Sequence, residues 1–300
     1  MDPNRTPNRR RRAGARVAVG LLATWGLLAV GIVPAAASLR SVEVRTGIAW
    51  RTISGETLLL DLYLPDDALL PYAPDAVRAS RSAMVLVHGG GWRGGDRSDL
   101  AIEGEAIAQR GGVAVSIDYR LVPEHPYPAA LDDVLAAVRW LRDDAQARRF
   151  GIDTARIAIG GVSAGGQLAA MAGTIGRGSE RVAAVVTWSG VFDFNALDIL
   201  DPAVLGCAPG QCPLLAALAS PITHVGPGDA PMLLVTGRRD QITPVAQARE
   251  MAATLQRAGV DHRLVTVSGR GHATQLAPEA AAPSLDFLAQ TVGLDTIALL

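Results

Sequence analysis

A chain of 300 residues, 49% of them hydrophobic, is long enough to bury a large core and short enough to be one α/β domain. Its 28 basic side chains, all arginine, nearly balance 29 acidic ones for a formal net charge of −1, and no basic patch points to nucleic acid. Two cysteines are too few for a disulfide scaffold.

The first segment, NRRRRAGARVAVGLLATWGLLAVGIVPAAAS, puts an arginine-rich stretch before an apolar run at 17–33, then Pro34 and Ala35-Ala36-Ala37. Charge, apolar stretch and small-residue site in that order predict a signal peptide over residues 1–37, cut after Ala37, and an exported protein, secreted or held in the periplasm or cell envelope. The apolar run is slightly long for a signal, so an uncleaved membrane anchor is the alternative. The arginine run also permits twin-arginine export. Without residues 1–37 the chain keeps 22 basic and 28 acidic side chains, a net charge of −6.

Residues 41–45 and 57–64 alternate or run apolar around Ser54-Gly55-Glu56, which predicts an opening hairpin. Six branched apolar runs follow, AMVLVH, VAVSIDY, RIAIGGV, AAVVTW, PMLLVTG and HRLVTV, each reading as a buried parallel strand. Amphipathic stretches separate them, clearest at Leu131, Val134, Leu135, Val138 and Leu141, which share one helical face. The pattern predicts an α/β fold with a mostly parallel central sheet and helices on both faces. Between AAVVTW and PMLLVTG stands CAPGQC, where Pro209-Gly210 fits the centre of a type II turn and brings Cys207 and Cys212 to bridging range. Outside the cell a disulfide is expected there, stabilising so small a loop by about 2 kcal/mol. Zinc is a poor alternative, with no histidines at ligand spacing nearby.

Chemistry concentrates at the strand ends. Gly161-Val162-Ser163-Ala164-Gly165 follows the strand Ile157-Ala158-Ile159 and opens a helical stretch, the strand, sharp turn and helix that present a nucleophilic serine. A phosphate-binding turn would want G-x-G-x-x-G or a following Lys-Ser/Thr, and neither is present. Serine needs a positioned base. Of five histidines, His272 alone comes directly after the last strand, in GRGH, where the base of this architecture belongs. Asp240, between PMLLVTG and a helix expected over 245–256 with Thr243 as cap and Pro244 in its first turn, is the expected acid that fixes the imidazole. Asp261 and Asp229 are competitors, each placed before a strand at the opposite edge of the sheet. The run His88-Gly89-Gly90-Gly91-Trp92 then has a purpose: with the N–H of Ala164, its backbone donors suit an oxyanion. A histidine and three glycines in a row arise by chance roughly 0.006 times in such a composition, so the pairing with Ser163 carries weight. His88 itself is expected to hold the loop.

HGGGW, Asp118-Tyr119-Arg120-Leu121-Val122-Pro123-Glu124, Tyr127-Pro128-Ala129-Ala130 and Gly161-Val162-Ser163-Ala164-Gly165-Gly166 together resemble the hormone-sensitive-lipase type of bacterial carboxylesterase in the α/β-hydrolase superfamily, over residues 57–275. Ser220-Pro221-Ile222-Thr223-His224 before PMLLVTG is similar to the feruloyl-esterase-like branch. The resemblance implies an α/β-hydrolase catalytic domain over 38–300, an oxyanion hole from Gly90, Gly91 and Ala164, and loops braced by Asp118 and Arg120. Val162, where an acidic residue is common, and Ala273-Thr274 after His272, where an aromatic is usual, depart from the pattern and bear on substrate detail. The resulting expectation is an exported serine hydrolase, without cofactor or metal, that cleaves small-molecule carboxylic esters through an acyl-enzyme. Arylformamidase-like or peptidase activity on the same fold is an alternative, and a non-catalytic binding protein a remoter one. Neither DDALLPYAPDA nor residues 190–229 has the helical period of a large cap, so a minimal cap, an open cleft and short or aromatic acyl groups are expected, with Trp92 as one wall.

Overall fold

The computed structural model describes residues 41–66, 81–197, 200–208, 210–269 and 271–294, all within the unit Ala37–Leu300. The leader expected over 1–37 lies outside the described residues, as do Pro209 and all but the first residue of DDALLPYAPDA. Among the described residues no helix is long and apolar enough to cross a membrane.

Strands β1 (Val42–Ile53) and β2 (Glu56–Pro65) form the opening hairpin, antiparallel from Val42 opposite Pro65 to Ile53 opposite Glu56. Ser54 and Gly55 between them both have positive φ, 54° and 83°, the backbone of a two-residue turn whose twist matches its strands. β1 runs further than residues 41–45 because the register shifts between Arg45 and Ile48. Such a bulge adds a residue and breaks the period-2 pattern on which the shorter reading relied.

The six apolar runs become β3 (Arg81–Val87), β4 (Val113–Ile117), β5 (Ile152–Val162), β6 (Ala184–Trp188), β7 (Met232–Gly237) and β8 (His262–Val267). They pair parallel to one another, while β2 joins β4 antiparallel, in the order β1-β2-β4-β3-β5-β6-β7-β8. From β3 the chain crosses to β4 on one side and later returns to β5 on the other. The strand order therefore reverses between β3 and β5, where sheets of this kind leave a crevice at their carboxyl ends.

Both faces of the sheet are covered over β3, β4, β6 and β7, which are buried at every position, whereas β1 and β8 at the two edges keep exposed residues. Ala83, Val85 and Val87 belong to one core and Met84 and Leu86 to the other. In chain order the helices are α1 (Ala101–Gln109), α2 (Ala129–Arg142), α3 (Asp144–Phe150), α4 (Ala164–Ile175), α5 (Pro202–Leu205), α6 (Pro213–Leu218), α7 (Val245–Arg257) and α8 (Ala277–Val292). α1 and α8 cover the Met84 face, and α2, α4 and α7 the Val85 face. The predicted stripe of α2 is buried at every position from Leu131 to Leu141, each such side chain contributing about 1.5–3 kcal/mol of burial. α7 begins after Pro244, and Thr243 does not cap it: its hydroxyl is buried with no hydrogen-bond partner among the described residues.

Between β6 and β7 only α5, α6 and short 3₁₀ turns appear among the described residues, which is the minimal cap expected. The Cys207–Cys212 disulfide links the end of α5 to the start of α6 with Cα atoms 6.4 Å apart. Gln211 N–H donates to the Ala208 carbonyl at 3.0 Å and Gly210 has φ 78°, both features of the type II turn.

Candidate active site

β5 ends in the sharp turn that its sequence calls for. Ser163 has φ 53° and ψ −117°, a region that residues with a side chain avoid and that is found where local strain serves a site. Its N–H donates to the Trp188 carbonyl at 2.8 Å, fixing the turn to the end of β6. A Cβ at Gly165 would sit 2.1 Å from the Val87 carbonyl oxygen, so only glycine lets the first turn of α4 approach β3 this closely.

Three of the predicted residues, from three separate strand ends, meet at this turn. Ser163 Oγ donates to His272 Nε2 at 2.9 Å, and His272 Nδ1 donates to Asp240 Oδ2 at 2.8 Å. The Asp240 side chain is fully buried and that of His272 is 14% exposed. Asp240 Oδ1 also accepts from the N–H groups of Ile242 and Thr243 at 2.9 and 3.0 Å, and Oδ2 from Ser189 Oγ at 2.8 Å. Burial pushes the Asp240 carboxyl up, but the hydrogen bonds from His272, Thr243 and Ser189 together outweigh it, and the group titrates below its ordinary range. It is ionised at neutral pH and held in one orientation. Asp261 and Asp229 are elsewhere: Asp261 is exposed ahead of β8, and Asp229 Oδ2 accepts from Gly226 N.

The glycine loop after β3 reaches the same crevice. Gly90 and Gly91 have φ 109° and 63°, and a Cβ on Gly90 would lie 2.1 Å from the Gly94 carbonyl oxygen. Both residues are exposed. Among the described residues the N–H groups of Gly90, Gly91 and Ala164 have no acceptor within the chain, so all three remain available to a ligand oxygen, Ala164 at the positive end of α4. His88 holds the loop as expected. Its Nδ1 donates to the Gly89 carbonyl at 2.7 Å, its ring stacks on Tyr119 at 4.2 Å, and the Tyr119 hydroxyl donates to the His88 carbonyl. Burial pushes the His88 imidazole below its ordinary value.

The bracing acids and arginines have definite partners. Arg97 bridges Asp118 and Asp61, at 2.8 and 2.9 Å, and Arg120 binds Asp133 through two of its nitrogens. Trp92 is not an open wall: it is 8% exposed, its ring tilts against Phe194, and its Nε1 donates to Gln167 Oε1 at 3.0 Å. Gln167 Nε2 in turn donates to the Ala219 carbonyl at 2.8 Å. The cavity beside Trp92 is about 20 Å³, room for about one water. Sequence reasoning passed over Ser189, Gln167, Arg97 and Asp133. Only Ser189, a serine directly after a parallel strand as Ser163 is, offered a signal. Among the described residues no three His, Cys, Asp or Glu side chains converge as a metal site would require.

The BD-FAE family profile matches residues 69–255. Carboxylesterase NlhH of Mycobacterium tuberculosis is 41% identical over 116 residues, 38% of this chain and 35% of that protein. Esterase LipC of the same species is 34% identical over 245 residues, 73% of this chain and 57% of its own length. The chain thus spans from about a third to little more than half of these curated relatives. Among solved structures, a thermophilic esterase of Thermogutta terrifontis in its butyrate-bound form superposes with TM-score 0.68 at 25% identity, covering 85% of this chain and 95% of that one. The same esterase phosphorylated by paraoxon superposes at 26% identity and TM-score 0.68, covering 83% and 94%.

Proposed function

The chain belongs to the BD-FAE family and has the α/β-hydrolase fold, and from that premise we propose that it is an exported carboxylic ester hydrolase acting through an acyl-enzyme. The observation that carries the reading is the unbroken hydrogen-bonded line from Ser163 Oγ through His272 to Asp240. Neutral His272 accepts the serine proton at Nε2 as Oγ attacks the ester carbonyl, and the Asp240 carboxylate stabilises the imidazolium that forms. The carbonyl oxygen becomes an oxyanion in reach of the N–H groups of Gly90, Gly91 and Ala164. His272 returns the proton to the leaving alcohol, and a water activated by the same imidazole releases the acid.

Short acyl groups are the proposed substrates. Support comes from the brevity of α5 and α6 where a large cap would stand, and from the butyrate and propionate held by the Thermogutta esterase. Export rests on the order of charges and apolar residues in the first 37 positions. The test is Ser163→Ala on nitrophenyl butyrate, beside labelling of the unsubstituted protein with paraoxon. The variant should lose at least about 10⁴-fold in kcat with its thermal midpoint unchanged, and paraoxon should add one phosphoryl group at Ser163. A variant that keeps a tenth of the activity, or phosphorylation elsewhere, refutes the assignment.

A further inference from the structure

A second serine stands in the same kind of turn one strand away. Ser189 follows β6 with φ 51°, close to the 53° of Ser163, and is 1% exposed. Its N–H is tied to the Val235 carbonyl at 2.8 Å, and the residue before it accepts the N–H of Ser163. Glycine would take this backbone without strain, so the side chain must offset the strain by what it binds. Its hydroxyl has two partners. It donates to Asp240 Oδ2 at 2.8 Å, the oxygen that also receives His272 Nδ1–H, and it accepts the N–H of Ala273 at 3.1 Å.

These contacts close a ring: hydroxyl to carboxylate, carboxylate to imidazole, imidazole along the chain to Ala273, and Ala273 back to the hydroxyl. We propose that Ser189 is a positioning residue of the reaction, its hydroxyl fixing the acid and the loop that carries His272 to the strand end beside Ser163. The inference rests on the serine-hydrolase reading above. Ala273 itself has φ 53°, so the residue after His272 sits in strained backbone at the point where the hydroxyl holds it. Without the hydroxyl, the fully buried Asp240 Oδ2 loses one of its two donors, and the part-buried Ala273 N–H loses the acceptor that ties it to the strand end. The carboxylate and the His272 loop then shift independently, and the imidazole spends less time aligned with Ser163.

The test compares Ser189→Ala, Ser189→Gly and Ser189→Cys with the unsubstituted protein on nitrophenyl butyrate, together with the downfield proton signal of His272 Nδ1–H in the NMR spectrum. Ala and Gly should both lower kcat by about 10- to 100-fold while KM stays within about twofold, and the downfield signal should broaden or vanish. Cys, near in size and able to donate weakly, should recover part of kcat. Relief of strain alone predicts that Gly outperforms Ala; equal losses assign the effect to the hydroxyl. Unchanged kcat and an unchanged signal overturn the proposal, as does a Cys variant of full activity if the deletion variants fail to fold. An unsubstituted protein with no ester hydrolysis overturns the ester reading instead, and loss of the downfield signal in Ser189→Ala would still sustain the positioning role.

Discussion

Replacing Asp240 with asparagine changes one atom and should silence the proposed site. Asp240 Oδ1 serves two backbone donors, Ile242 N and Thr243 N, while Oδ2 serves His272 Nδ1 and Ser189 Oγ. A carboxamide has a single acceptor oxygen. Turned toward the backbone, it keeps both N–H bonds and presents NH₂ to His272. The imidazole must then offer a lone pair at Nδ1 and carry its proton at Nε2, facing Ser163, where it cannot accept the serine proton. Turned the other way, the amide leaves the buried Thr243 N–H without its acceptor at a cost of about 1–3 kcal/mol, and the half-exposed Ile242 N–H with water in its place. The first orientation is therefore favoured by about 1 kcal/mol or more, and with it the unproductive tautomer. The expected loss in kcat is about 10⁴-fold, or about 5.5 kcal/mol of barrier. The assay is kcat and KM on nitrophenyl butyrate between pH 7 and 9, with Asp261→Asn as control. A tenfold loss or less in Asp240→Asn, or a large one in Asp261→Asn, refutes the reasoning.

Cys207→Ser should lower stability by about 2 kcal/mol or less, since the bridge closes a loop of sequence separation 5; a loss above about 4 kcal/mol in urea unfolding, or two alkylatable thiols before reduction, contradicts this. Burial holds the His88 imidazole below its ordinary value of 6.5, so the unfolded chain takes up a proton there before the folded one does. Its contribution is fully present above pH 6.5 and is lost as pH falls toward the folded value. The urea midpoint should therefore drop between pH 7.5 and 5.5, and less so in His88→Gln; equal drops would refute the role of His88. Across nitrophenyl esters from acetate to palmitate, kcat/KM should peak at a short acyl chain, because a site covered only by the short α5 and α6, as proposed above, would bury few methylenes at about 0.8 kcal/mol each. A maximum at twelve carbons or more, or activation by an oil–water interface, contradicts it.

What the sequence made legible is local. The inner parallel strands announce themselves as branched apolar runs because both of their faces are buried, and edge strand β8, only part-buried, keeps enough of the pattern that Ser163, Asp240 and His272 can each be placed after such a run. α8 was not legible: Pro283 within it reads as a break, yet packing of Phe287, Leu288 and Val292 against the sheet holds the helix. α1 is obscured by Ile102, 78% exposed, beside buried Gly104, Ile107 and Ala108. Ser189 gave too little signal, because its partners lie 51 and 84 residues away, and Gln167 meets Trp92 across 75. A polar side chain whose role is to bridge distant segments has no periodicity to reveal it.

The bridge from Trp92 through Gln167 to Ala219 bears on how such a scaffold can be remodelled. Residues 190–229 look like a detachable module, the natural place to graft a larger lid or to exchange with a relative. Their ends, however, are stitched into the scaffold: Ala219 through Gln167 to the glycine loop, and Phe192 and Asp193 through Gln247, whose Oε1 takes both N–H groups at 2.8 Å. A transplant cut at those points would loosen the oxyanion loop along with the lid. The seam tolerant of insertion is the exposed turn at Gly210 and Gln211, where the Cys207–Cys212 bridge closes the neck and isolates whatever is added from the chemistry beneath.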